Sequence, residues 1–293
     1  MLNKITWQQR VFEVFNSLLM VFLMITMFYP LWYVFCASLS NSNELLAHQG
    51  MLFLPIKPTF AAYQNAFKHP LLVNSYINTL FVVVVGTTLS TVLTAIAAYF
   101  MSRKNVFFKR AISLVLIFTM YFSGGLVPFY LVVKNLGLLD SLASLILPSL
   151  LSVYNILVMR GGFESLPDSI EESAKIDGAG HIVILFRILL PIALPTLAVI
   201  ILYYGVTYWN AWFNASIFIK DRTKYPLQLV LRQILLANDT REMSFGIDTG
   251  DQMAISETIK HAITMIATVP VLCLYPFLQK YFIKGIMIGA VKG

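Results

Sequence analysis

Uncharged apolar residues gather into six long runs separated by short polar stretches. The runs are Val14–Asn43, Leu71–Ser102, Ala111–Val133, Ser141–Met159, Ile188–Ile219 and Ala262–Gln279. None contains Asp, Glu, Lys or Arg. A helix that crosses a bilayer needs about 20 such residues, so the pattern predicts six spans. Several runs exceed that length and predict interfacial or loop extensions. Period-2 alternation is absent, which argues against a membrane barrel. The first run is too long for a signal-peptide core and lacks a small-residue cleavage site, so it reads as a spanning helix.

Between the runs lie loops of unequal character. Ser40–Pro70 is rich in Asn, Pro and His, and Leu136–Asp140 is a tight turn. The stretch 164–191 is a polar segment leading into the fifth span, and 217–261 is a long loop whose charges balance. No internal repeat is visible, so any two-fold symmetry has to come from another chain. The expectation is one all-α membrane domain over residues 1–293.

Composition agrees. The 293 residues are 58% hydrophobic and 12% charged, against about 45–50% and 25% in soluble domains. Disorder, a disulfide scaffold and an ordinary soluble enzyme are excluded. The net charge of +7 changes the picture only through its placement. With both termini in the cytoplasm, the inner segments hold 12 of the 21 basic residues, and Arg103, Lys104, Lys109 and Arg110 crowd one short loop. That asymmetry orients a multi-pass membrane protein and points to contact with an anionic lipid face, not with nucleic acid.

Candidate chemistry centres on the inner loop. Asp168 and Glu171 have the spacing of a capping box, acids fill the first turn, and Gly178 and Gly180 break the helix. A second helix then runs into the fifth span, where Pro191 and Pro195 predict a kink. Two cytoplasmic helices at an elbow result; taken alone, this also describes an interfacial amphipathic helix.

The segment carries a longer pattern. Glu172, Ser173, Ala174, Gly178, Ile188, Leu190 and Pro191 match the E-A-A, three residues, Gly, nine residues, Ile-x-Leu-Pro signature, with Ser173 in place of the first Ala. On this the chain resembles the permeases of binding-protein-dependent ABC importers. Asp177-Gly178-Ala179 and the C-terminal Gly289–Gly293 resemble the carbohydrate-uptake branch. Tyr225–Arg232 resembles its polysaccharide-fragment members, such as the second permease of an alginate-oligosaccharide importer.

The resemblance implies a type I importer permease with six spans and a cytoplasmic coupling helix. It implies ATPase coupling through Glu171, Glu172, Ser173, Ala174, Asp177 and Gly178. It also implies a second homologous permease, an ATPase dimer that binds ATP and Mg, an extracytoplasmic solute-binding protein and a saccharide substrate, an oligosaccharide with alginate fragments among the candidates. No cofactor is expected in this chain, which lacks a G-x-x-x-x-G-K-[ST] phosphate loop. It has no catalytic or metal set either, so it reads as a transport subunit.

Two further features invite function. In the outer half of the fifth span, Tyr204, Tyr208 and Trp212 fall at i, i+4 and i+8, beside Trp209 and the pair Asn210 and Asn214. Aromatic faces with amide donors suit a sugar path; an aromatic belt at the lipid interface is the competing reading. In the third span, Ser123-Gly124-Gly125 either lets helices pack closely or breaks the helix beside a cavity, with packing the preferred expectation. The alternative class is an ion-coupled secondary transporter of a small polar solute. It is disfavoured because no Asp, Glu, Lys or Arg lies inside a run.

Overall fold

The computed structural model describes residues 7–68, 70–104, 106–237 and 258–274, with 276 and 279. Lys4, Asn238, the loop stretch 238–257 and Gly289–Gly293 lie outside the described residues. Among those described there is no strand. The helices are α1 (Trp7–Ser38), α2 (Ser42–Ala47), α3 (Ala61–Lys68), α4 (Pro70–Ser102), α5 (Lys109–Tyr121), α6 (Leu126–Asn135), α7 (Ala143–Ile146) and α8 (Val153–Glu164). They continue as α9 (Asp168–Ile176), α10 (His181–Val183), α11 (Leu190–Ile192), α12 (Leu194–Trp209), α13 (Trp212–Phe218) and α14 (Leu227–Ala237), then α15 (Thr258–Leu274).

The six apolar runs map onto these helices, but two of the helices are unbroken and long enough to cross a membrane, α1 and α4. Three runs are bent pairs. α5 and α6 meet at 112°, the α7 segment (Ala143–Ser149) and α8 at 52°, and the His181–Ile192 segment and α12 at 90°. α15 is the shorter apolar helix under the sixth run.

Two of these bends have a clear local cause. Between α5 and α6, Gly125 sits at φ +87°, and a Cβ there would meet nothing within 4 Å. The glycines therefore break the helix, and the expectation of close packing at Ser123-Gly124-Gly125 is corrected. Before α12, a π-helical stretch (Ile184–Leu189) leads into Pro191. Ala193 leaves helical geometry at ψ 18°, and Pro195 opens the next helix. The missing proline N–H groups and their ring clashes make this the place where the fifth run folds over.

Contacts divide the chain into two units, Met1–His69 with Ile234–Thr268 and Pro70–Gln233 with Val269–Gly293. The first gathers the end of α1 and α2 around Cys36, Ala37, Leu45 and Leu52. Asn41 caps α2 through the amide of Asn43, and the Ser42 and Thr258 hydroxyls bond at 2.7 Å. Most of α1 is exposed apolar surface, as a lipid-facing helix requires.

The second unit is built on α4, which packs along α12 and α8. In lipid there is little hydrophobic drive between helices, so small residues and hydroxyls supply the contact. Gly86, Ser90, Thr94 and Ala98 recur every four residues on α4, and all are buried. Against them lie Tyr204 and Tyr208 of α12, with relative exposures of 2% and 1%. Tyr208 Oη bonds Ser90 Oγ at 2.8 Å, and Tyr204 Oη bonds Thr94 Oγ1 at 2.7 Å. Tyr204 Oη also accepts the Ser152 amide at 3.0 Å, and Ser152 in turn caps α8.

Elsewhere in this unit, Asp140 ties a turn to the chain after α13. Its Oδ1 accepts the amides of Lys220 and Asp221 at 3.0 and 2.9 Å. Its own amide donates to Phe218 O at 2.8 Å. Those two amides, with Lys224 alongside, hold the Asp140 carboxyl below its usual range. Asn78 Nδ2 donates to Thr223 O, and Thr79 Oγ1 accepts the Leu227 amide. The start of the loop expected over 217–261 is thus folded onto its own unit.

Candidate functional site: the elbow after α8

α9 is a short amphipathic helix whose ends are set by its sequence. Its N-cap is Pro167, which makes no side-chain cap bond. The expected capping box is not formed, because Asp168 is turned to Lys104 at 2.5 Å instead. That bond holds the Asp168 carboxyl below its ordinary range and lifts the Lys104 ammonium above its own.

The C-terminus is a complete Schellman motif. The Gly178 amide donates to Lys175 O at 3.0 Å and the Ala179 amide to Ala174 O at 2.9 Å. The motif requires a left-handed residue, and Gly178 takes φ +77°. A Cβ on Gly178 would meet nothing within 4 Å, so conformation, not close approach, is what calls for glycine. From there α10 begins with His181.

The side chains of α9 divide into two sets. Ala174 is buried against the core formed with Ile184, Leu185 and Leu189. Glu171 is also buried: its Oε2 pairs with Arg103 and its Oε1 accepts Lys175 Nζ at 2.8 Å. Glu172, Ser173, Asp177 and Gly178 are exposed. Of the six residues expected to act together, four are therefore open to a partner and two face inward. Sequence reasoning missed Ile176 and Ile182, which stand 86% and 76% exposed on the elbow. An apolar residue among the polar positions of a short helix was the available signal.

A cavity of about 680 Å³ lies under the elbow, lined by Tyr99, Arg103, Asp168, Glu171, Lys175 and His181 among others.

The expected sugar-path face is rearranged. The helix stops at Trp209 and restarts at Trp212, so Tyr204, Tyr208 and Trp212 do not form one continuous stripe. Tyr204 and Tyr208 are interior packing residues, as is Trp209, whose ring meets Tyr76 edge-on at 6.1 Å. Asn210 is exposed and caps α12 through Val206 O at 2.9 Å. Trp212 is half-buried under the Arg232 guanidinium, 3.5 Å from its ring centroid, and Asn214 is half-buried. The open side of α12 carries Tyr203 and Thr207 instead, and Tyr203 meets Tyr154 of α8 at 5.9 Å between ring centroids.

The match to known proteins covers nearly all of the chain. Residues 3–288 fit the family described as binding-protein-dependent transport system inner membrane component. The polygalacturonan/rhamnogalacturonan transport system permease protein YtcP of Bacillus subtilis (strain 168) is 40% identical over 271 residues, 90% of this chain and 92% of that protein. Protein LplC of the same organism is 39% identical over 284 residues, 97% and 96% of the two chains. A chain from the crystal structure of a bacterial ABC transporter involved in the import of the acidic polysaccharide alginate superposes with a TM-score of 0.85 at 31% identity. That alignment covers 94% of this chain and 98% of that one. The elbow, the broken helices and these likenesses agree, and the chain belongs to the inner-membrane permease family of binding-protein-dependent ABC transport systems.

Proposed function

We propose that this chain is one permease of an ATP-driven importer that moves oligosaccharides derived from an acidic polysaccharide. A solute-binding protein delivers the substrate on the outer side. A second, homologous but different permease completes the pathway. An ATPase dimer, which binds ATP and Mg, docks on the inner side, where both termini of this chain lie.

The observation that carries this reading is the elbow. Ile176 stands 86% exposed beside exposed Glu172, Ser173 and Asp177. A large apolar side chain ringed by polar ones is the pattern of a small docking surface. Gly178 sets the direction in which that surface points. The relatives named for polygalacturonan/rhamnogalacturonan transport and for alginate import support the acidic-saccharide class. For the path itself, Trp212, Asn214 and Asn210 stay candidates beside Tyr203 and Thr207. Tyr204, Tyr208 and Trp209 shape the path by packing.

The test is uptake by the assembled importer in proteoliposomes, with oligogalacturonate, alginate oligosaccharide and a neutral oligosaccharide offered in turn. ATP-dependent uptake of an acidic oligomer is expected. Ile176→Asp and Gly178→Pro should each lower it at least tenfold while the chain still inserts in the membrane. Uptake that ignores ATP and follows a proton gradient would overturn the proposal.

A further inference from the structure

Two adjacent glutamates on α9 have opposite surroundings. Glu172 is exposed, whereas the Glu171 side chain is 11% exposed with both carboxylate oxygens engaged inside the chain. Its main partner comes from far away in sequence: Arg103, just past the inner end of α4, itself only 21% exposed. The Arg103 guanidinium is held on its other sides as well. It lies 4.8 Å from the Tyr99 ring centroid, and its Nε and a terminal nitrogen donate to Ser102 Oγ at 3.1 and 2.9 Å.

The end of α4 and the residues just past it make two more bonds to the elbow. Tyr99 Oη bonds His181 Nδ1 at 2.7 Å, and Lys104 pairs with Asp168. Asp168 begins α9, Glu171 is in its first turn and His181 lies beyond Gly178. The end of α4 therefore grips both arms of the elbow.

These three ties are not equal. Lys104 and Asp168 are largely exposed, at 77% and 64%, and such a pair contributes little. Arg103 and Glu171 are desolvated, and taking away one leaves the other charge in a poor environment. This pair is the tie that resists being pulled apart.

We infer that Arg103 and Glu171 are positioning residues that make α4 move with α9 when the ATPase displaces the elbow. Glu171 is then not part of the docking surface. It transmits the displacement inward, and its neighbour Glu172 faces the ATPase. The inference rests on the coupling reading above and adds the route. The helix driven by the elbow is α4, which is remote from α9 in sequence, in addition to α8 and α12, which flank it in the chain. Through the Tyr204 and Tyr208 bonds, α12 is carried along by both connections.

The test measures ATP hydrolysis and saccharide uptake together on the purified, reconstituted importer. Glu171→Gln and Arg103→Gln are each expected to leave ATP hydrolysis within about twofold and to lower saccharide moved per ATP at least tenfold. A ratio unchanged in both variants overturns the inference.

A second arm places Arg103→Cys with Glu171→Cys in a Cys36→Ala/Cys273→Ala background and bridges the pair with a short bifunctional thiol reagent. Bridging is expected to restore the ratio lost with the thiols free. Uptake blocked by bridging overturns the inference, because the pair would then have to separate in the cycle. This arm decides the matter where Glu171→Gln fails to assemble. The unmodified importer separates the two levels of the argument. If it shows no ATP-driven uptake, the importer reading fails and takes this one with it. If it transports normally and the variants keep its ratio, only the Arg103–Glu171 assignment fails.

Discussion

Replacing Gly86 by alanine puts a methyl group where α4 meets the ring of Tyr208. A Cβ at this position would lie 2.8, 2.8 and 2.9 Å from three ring carbons. Carbon atoms prefer about 3.5–4.0 Å, so ring or backbone has to retreat by about 0.7 Å or more. The ring has little room to do so: it is 1% exposed, and its hydroxyl is held by Ser90 at 2.8 Å. Overpacking of this kind costs about 1–3 kcal/mol. Alanine also gains helix propensity over glycine, by up to about 1 kcal/mol. The useful comparison is therefore Gly205→Ala on α12, where the nearest atom to a new Cβ is Thr87 Oγ1 at 3.9 Å. Relative to that reference, Gly86→Ala is expected to be less stable by about 1–3 kcal/mol. The assay is unfolding of the purified chain in detergent micelles, followed by tryptophan fluorescence. Tyr208→Leu in the same chain should make the added methyl nearly free, because the clashing atoms are gone. A difference between Gly86→Ala and Gly205→Ala below about 0.3 kcal/mol, within ordinary additivity error, would refute the packing argument.

Tyr204→Phe removes the acceptor of the Ser152 amide and the partner of Thr94, and it is expected to cost about 1–2 kcal/mol in the same unfolding assay; an unchanged transition would show those bonds to be idle. The Asp140 tie is expected to survive mild acid. Its carboxyl is held below its usual range in the folded chain, so its contribution is present above the unfolded carboxylate pKa, about 3.9, and is lost as pH falls through the lower folded value. Hydrogen exchange at the Lys220 and Asp221 amides should therefore keep its protection at pH 5, and early loss of protection there would contradict the tie.

Much of the architecture was legible because lipid imposes a simple rule, that long uncharged runs become helices. The elbow was legible because Glu172, Gly178 and Pro191 are local requirements written at fixed spacing. What stayed hidden depends on contacts between distant residues. Glu171 and Glu172 are indistinguishable in sequence, and only Arg103, just past the end of α4, separates them. Tyr204, Tyr208 and Trp212 looked like one stripe because the helical repeat was carried across a break at Asn210 that no proline or glycine marks. At Ser123-Gly124-Gly125 the residues were noticed, but glycine serves close packing and helix breaking equally, and the neighbours decide which. Asp168 had the right spacing for a cap, and Lys104, in the turn after α4, offered it a charge instead.

The fit of the Tyr208 ring over Gly86 also limits how the two long helices can travel. If α12 slipped along α4 by one turn, about 5.4 Å, the ring would come to rest over Val82 or over Ser90. Both of those residues carry a Cβ, and Val82 is buried in the same core. Neighbouring registers are thus closed by sterics, and a ratchet between them is not available to this pair. A movement of either helix therefore takes the other with it, and the chain's existing bends lie elsewhere, at the breaks beside Gly125, between Ser149 and Val153, and beside Ala193.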